Sequence, residues 1–571
     1  MSSDADLLSD PFLQNPTADS VRVVWFTEFS GTAHTVRYGL PGQENSIRAA
    51  SRPLSRVRED QQSQVPGRAY DRPTRRPIWR HEAAVTGLTP GQRLPYQVLS
   101  QRADGTLLER GPFTLAPTPP AGQPLKILLT SDHQLMPMTA ANLQKVQETV
   151  GQVDAVLMAG DLVNVPDRAS EWFDDARGGA FFPCLQGRAQ VTLEHHGRQT
   201  VYRGGELIQH APLFPAVGNH EVMGRYREMA PLNEQFNDPV PQAVAEKLYA
   251  GYADLDNPQT DLALRQRWLK DNTFNTDTYG EIFSLPHPQP TDSDEPPGYY
   301  AVSFGDIRLI SLYVTQIWRP PDLKPTTRGR YRERQADLGN PVNWGHGQHI
   351  FERIDRDSPQ YAWLQRELTS DAFRQAKYKL VMLHHPPHTL GGNSVPAFTD
   401  PVRVDDRNPD GSLRAIRYEY PQDQDYIVRD LLPLLEQAGV QFVFYGHSHL
   451  WNRFVSASGM HFLESSNVGN TYGAHDAQNP RPVPQTASDL EPYRETYVAV
   501  GDPNGLTPVM PTLVPLTRDR GERLPYIASN DMTVFSIFET GSGTVSSYYF
   551  DTRQPDSAVV KFDQFAIRSA A

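Results

Sequence analysis

Two short apolar runs, each closed by an aspartate, constrain this chain more than any other feature. "LKILLTSD" (125–132) and "DAVLMAGD" (154–161) read as buried strands, and "TAANLQKVQETV" (139–150) between them reads as a helix. A β–α–β unit of this kind implies a parallel sheet. Carboxylates at the carboxyl ends of neighbouring strands sit where open α/β sheets place their active sites. A third run ends in "FPAVGNHE" (214–221), and "YYAVSFGDIRLISLYV" (299–314) reads as a hairpin-like pair. In "SPQYAWLQRELTS" (358–370), Ser358 caps a helix, Pro359 opens it, and Tyr361, Leu364 and Leu368 share one face. The strand "YKLVMLHHPP" (378–387), a helix over 425–439, the strand "VQFVFYGHSH" (440–449) and a closing hairpin turning at 541–543 extend the same domain. The stretches 222–298, 320–357, 390–424 and 470–530 match none of these patterns and read as lids, rims or added decoration.

Ahead of this domain the pattern is all-β. Residues 20–27 alternate, with Val21, Val23 and Trp25 on one face, which predicts a half-buried strand. "HTVRYG" (34–39) and "LPYQVLS" (94–100) are further strands, and the proline-rich "APTPPAGQP" (116–124) is a linker. With 571 residues the chain has room for two or three domains. The expected division is a small β-sandwich over 1–118 and a catalytic domain with long insertions over 119–571.

Charge and cysteine content narrow the function. A net charge of −13 argues against a nucleic-acid scaffold, because nothing offers a basic face to a phosphate backbone. The one cysteine, Cys184, excludes an internal disulfide and reads as a small packed residue. No apolar run is long enough to cross a bilayer, and the acidic start "MSSDADLLSDPFLQNP" shows no secretory signal. That leaves the compartment open: cytoplasmic by default, or periplasmic or secreted if a leader is missing or unconventional. No obligate protein partner is evident.

Five motifs lie in order: Asp132 after a strand, Gly160-Asp161, "GNHE" (218–221), "HHPP" (384–387) and "GHSH" (446–449). In order and residue type they resemble the calcineurin-like metallophosphoesterase superfamily, including purple acid phosphatases, over roughly residues 125–455. "GLTPGQRLPYQV" (87–98 within the sandwich) resembles fibronectin type III modules, which precede many purple acid phosphatase domains; Leu94 stands where such modules carry a corner tyrosine, and Tyr96 follows two residues later. The resemblance implies an α/β (α+β) four-layer metallophosphoesterase sandwich preceded by a small all-β fibronectin- or Ig-like sandwich. It implies a pair of metal ions bridged by Asp161. Asp132 and His449 would complete the first site, and Asn219, His384 and His447 the second. His220 would contact the phosphate and assist the leaving group, with Glu221 orienting it.

The chain departs from the family pattern in the first site. Gln134 stands where most members have a histidine ligand, and Asn164 where purple acid phosphatases have a tyrosinate. Either Gln134 coordinates through its carbonyl oxygen, the preferred reading, or a water fills the gap, held by Gln134 or Asn164. His133 should point away from Asp132. Without the tyrosinate the pair should be divalent, Fe(II), Mn(II) or Zn(II), with a harder ion such as calcium an option in the first site. The implied reaction is hydrolysis of a small phosphate monoester by a metal-bound hydroxide, with a neutral-to-alkaline optimum. The rivals are a phosphodiesterase acting on nucleotides or phospholipid head groups, and a catalytically degenerate metal-binding scaffold. Weaker candidates near the site are Tyr313, Trp318, His385, His388, Trp451 and Arg453, the last read as structural.

Overall fold

The strand Val21–Thr27 is buried on both faces, not one, and this is what joins the two halves of the molecule. The computed structural model describes residues 7–567 apart from 258, 287–297, 321–323, 325, 395–400, 477–478, 480–504 and 519. Parts of the stretches that matched no pattern, and the first six residues, therefore lie outside the described residues. Val21, Val23 and Trp25 point into a sandwich core with Val36, Val85, Tyr96 and Val98. Val24 and Phe26, on the opposite face, belong instead to the core of the following domain. The Phe26 ring lies 5.0 Å from Phe173 and 5.4 Å from Phe182, and Phe12 lies 5.0 Å from Phe182. Period-two alternation is intact; both faces simply have something apolar to cover them.

The sandwich has two four-stranded antiparallel sheets. One runs Phe12–Gln14, Val21–Thr27, Trp79–Val85, Ala50–Pro53; the other Leu107–Leu115, Leu94–Gln101, Ala33–Tyr38, Asn45–Arg48. Trp25 ties them through its indole N–H, which donates to Ser100 Oγ at 2.9 Å. Tyr96 is buried and its hydroxyl donates 2.8 Å to the carbonyl of Gln209, in the following domain.

The larger domain has four layers. A six-stranded sheet runs Leu213–Pro215, Ala155–Met158, Lys126–Thr130, Met532–Glu539, Thr544–Asp551, Val560–Ala566. An eight-stranded sheet contains the parallel strands Ile307–Ser311, Tyr378–Met382, Phe442–Tyr445 and His461–Ser465. Alternation assigns each residue its layer. Ile127, Leu129, Leu309, Leu380 and Met382 fill the space between the sheets. Leu128 and Val156 pack outward under the helix Thr139–Val150, through its Leu143 and Val146. Ile310, Val381 and Val443 pack outward under Leu364, Leu431 and Leu435. The predicted helix at 359–368 is capped as expected, Ser358 Oγ accepting from Tyr361 N at 3.1 Å. The helix at 425–439 begins as a wider π turn, Ile427–Leu431, before Leu432–Ala438. Pro433 brings no N–H to the ladder, which accounts for the interruption.

Among the strands the sequence pattern did not mark are Trp79–Val85 and Leu107–Leu115 in the sandwich and Trp451–Val455, His461–Ser465 and Val560–Ala566 in the larger domain. Among the described residues of the stretch 222–298 are helices, with Gln242–Asp256 and Leu262–Asp271 packing on each other through Tyr249 and Leu269. Cys184 is buried and free, its thiol pushed up to about 12 by burial. Among the described residues no helix is long and apolar enough to cross a membrane.

Candidate metal centre

Each motif leaves a strand through a sharp turn. Asp132, Asp161, His447 and His449 all have left-handed backbone, with φ of 58°, 56°, 73° and 57°. That conformation costs a non-glycine residue on the order of 1–3 kcal/mol and persists only where the surroundings over-determine it. Two buried carboxylates do this. Glu221 accepts the backbone N–H groups of Gly218 (2.7 Å), Asp161 (2.8 Å) and Leu162 (2.8 Å), joining two motifs. Glu464 accepts the N–H of Ser448 at 2.9 Å, between the two histidines of "GHSH", together with the Ser448 and Ser466 hydroxyls. Burial pushes both carboxyls up to about 8.

The side chains converge on two groups. Single ligand atoms of Asp161, His384 and His447 lie within 4.8 Å of one another, as do those of Asp132, Asp161 and His449. Around the second group His447 Nδ1 lies 3.1 Å from Asn219 Oδ1 and 3.2 Å from His384 Nε2. His384 Nε2 is itself 3.2 Å from Asn219 Oδ1 and from Asp161 Oδ2. Bonds of about 2.0–2.1 Å to one central ion give ligand–ligand edges of about 2.8–3.0 Å in octahedral and about 3.3–3.4 Å in tetrahedral geometry, a range that brackets these distances. The donor set fits a metal on that count. His449 Nε2, 3.2 Å from Asp132 Oδ1, repeats the spacing in the first group.

Backbone carbonyls orient two of the imidazoles. His384 Nδ1 donates to Ala159 O and His449 Nδ1 to Asn470 O, both at 2.8 Å, which leaves each Nε2 lone pair facing inward. Asn470 Nδ2 also donates to Asp132 O at 3.1 Å. Burial opposes charge on His384, yet the Asp161 carboxylate holds its pKa up to about 10. Burial likewise works against Asp161, and His384 and His220 hold it down to about 2. A field that retains a proton there also favours a cation, whose binding would displace it.

Asp132, Asp161, Asn219, His384, His447 and His449, expected as ligands, are brought together. Gln134 is brought in too, but the atom it turns toward the bridging position is nitrogen: Nε2 donates 2.8 Å to Asp161 Oδ2. Asn164 donates from Nδ2 to Gln134 O, and its own carbonyl accepts from His220 Nδ1, both at 2.7 Å. Glu221, expected to orient His220, bonds only to backbone; the carbonyl of Asn164 fixes the His220 ring instead. His133 turns away, to Thr130 Oγ1 at 2.9 Å. Arg453 pairs with Asp563 at 2.8 and 3.1 Å, Trp451 Nε1 donates to Ser547, and Tyr313 is core. His388 bonds Asn452, at 3.1 Å. His385 stacks on His447 with centroids 4.0 Å apart, and Trp318 meets the same imidazole edge-on at 5.1 Å. The sequence reading missed Glu464, Asn470, Phe236, which packs on His220 at 5.2 Å, and Tyr472, which packs on His449 at 5.3 Å.

Close packing of the motif loops depends on glycine. A Cβ on Gly446 would overlap Ser131 Oγ and Asp132 Oδ2. Gly446→Ala should therefore displace the Asp132 carboxylate and weaken metal binding roughly 10–100-fold, the usual cost of disturbing a ligand's support. Metal retained after dialysis against a chelator series would measure this, and unchanged retention would refute it.

Two sheets with buried Asp and His groups that could hold metal at the strand ends are the scaffold of a metallohydrolase. Residues 125–450 match the family model described as calcineurin-like phosphoesterase, and residues 12–114 match that of the purple acid phosphatase N-terminal domain. The chain belongs to the calcineurin-like phosphoesterase family. Among solved structures, purple acid phosphatase PPD1 from yellow lupin (Lupinus luteus) seeds is similar in fold, with a TM-score of 0.53 and 13% identity over 97% of this chain and 73% of that one. PhoD aligns over 100% of this chain and 94% of its own, at 10% identity and a TM-score of 0.43. No curated protein matches the chain.

Proposed function

We propose that this protein is a phosphatase hydrolysing small phosphate monoesters with two divalent metal ions. The observation that carries the reading is the half-exposed His220 beside a buried cage of carboxylate, amide and imidazole donors. When bound, the two ions would supply positive charge at the phosphoryl oxygens and acidify a water nucleophile. Asp161 has two oxygens and would serve both ions. Asp132 and His449 would hold the first, and Asn219, His384 and His447 the second. Gln134 steadies the bridging carboxylate through its N–H. His220 keeps a proton on Nδ1 against the Asn164 carbonyl, so Nε2 is the atom free to protonate the departing alkoxide.

The divalent assignment rests on Asn164. Its side chain is a neutral amide whose Nδ2 donates to Gln134 O, so the position offers no anionic oxygen to stabilise a ferric ion. A divalent pair acidifies water less, which supports a neutral-to-alkaline optimum. The test combines elemental analysis with assays of p-nitrophenyl phosphate and its bis-ester across pH. Two ions per chain, monoester preference and no strong visible band after oxidation are expected. Preference for the bis-ester would make the protein a phosphodiesterase, and fewer than two ions without turnover would make it a scaffold.

A further inference from the structure

Three aromatic rings lie against imidazoles of the site, and they differ in what their other face meets. Phe236 on His220 and Trp318 on His447 are half-buried. Tyr472 on His449 is 62% exposed. Its ring centroid is 5.3 Å from that of His449 at an interplanar angle of 29°, so one face is stacked while most of the residue stays exposed among the described residues. Exposure does not reflect a loose segment. Before Tyr472, Val468 O accepts from Met138 N (3.1 Å), Asn470 spans His449 and Asp132, and Thr471 N donates to Asn530 Oδ1 (3.0 Å). After it, Gly473 O accepts from Gly392 N (2.9 Å) and His475 N donates to Leu390 O (2.8 Å). Four separate segments thus fix the backbone on both sides of a ring that the described residues leave largely exposed.

An apolar ring held in water one ring-stack away from a metal-ligand imidazole is placed to receive a planar partner. We propose that Tyr472 is a specificity-determining residue: it stacks on the leaving group of the ester and makes aryl phosphates the preferred substrate class. This rests on the phosphatase reading. With phosphorus at the metal centre, an aromatic ring bonded directly to the ester oxygen continues the stack His449–Tyr472–substrate. An alkyl chain leaving in the same direction gains only dispersion contacts.

The test uses the full-length metal-loaded protein. The ratio of kcat/KM for phenyl phosphate to that for glycerol phosphate should fall about five- to tenfold in Tyr472→Ala, through KM, and hold in Tyr472→Phe, as loss of one aromatic pair predicts. Calorimetric binding gives an arm independent of turnover and of any variant. Phenylphosphonate should bind the unaltered protein several-fold more tightly than methylphosphonate. Equal affinity for the two phosphonates overturns the stacking role while leaving hydrolysis of glycerol phosphate, and so the phosphatase reading, intact. A Tyr472→Ala variant that loses both esters equally, together with metal, also overturns it, since the ring would then only buttress His449. Phenylphosphonate preference without hydrolysis of any ester supports the stacking role and removes the phosphatase reading instead.

Discussion

Asp161→Asn abolishes turnover, with a fall of about a thousandfold or more, and leaves fewer than two metal ions per chain. The carboxamide keeps the size of the side chain but has one oxygen where the carboxylate has two, so it cannot serve both ion positions. It also removes the one negative charge that both groups of donors share. Charge stabilisation by a metal pair is worth several kcal/mol in the transition state, and about 4 kcal/mol corresponds to three powers of ten in rate. The substitution is local: Asp161 N stays bonded to Glu221, and His220 N loses only the character of its acceptor. Elemental analysis alongside the steady-state assay separates loss of metal from loss of fold, which circular dichroism reports. A variant that keeps two ions and near-normal rate would remove the bridging role of Asp161.

His220→Ala slows alkyl esters far more than activated aryl esters. General acid assistance contributes about 10²–10⁴-fold where the leaving group is a poor one. p-Nitrophenolate departs without a proton, so its hydrolysis should drop only about tenfold or less, whereas glycerol phosphate should lose the larger amount. The Nδ1 hydrogen bond to Asn164 O makes the assignment specific, since it dedicates the other nitrogen to substrate. Equal losses on both esters would mean that His220 binds phosphate without donating a proton to the leaving oxygen.

The candidate ligand residues were legible because each follows a short strand, and a buried strand announces itself by composition whatever separates it from the next. Asp132, Asp161, His384 and His447 all stand two or three residues beyond such a run. What supports them was not legible. Glu464 is the fourth of five residues in the strand His461–Ser465, and a carboxylate there breaks the apolar pattern that would have marked the strand. Its reason for burial is the loop of His447 and His449, which pairing alone reveals. Asn470 and Tyr472 follow that unforeseen strand, in a stretch read as lid, rim or added decoration. The Gln134 carboxamide offered oxygen and nitrogen alike to a sequence reading; the contact with Asp161 Oδ2 distinguishes them.

Phe12 and Phe26 share an apolar cluster with Phe173 and Phe182, so the boundary at the proline-rich linker is one of topology and not of thermodynamics. Each such ring is worth about 1.5–3 kcal/mol when sheltered from water. Cutting the chain there would leave two fragments with greasy, complementary scars, so the front module travels with its enzyme as a permanent wall rather than as an interchangeable attachment.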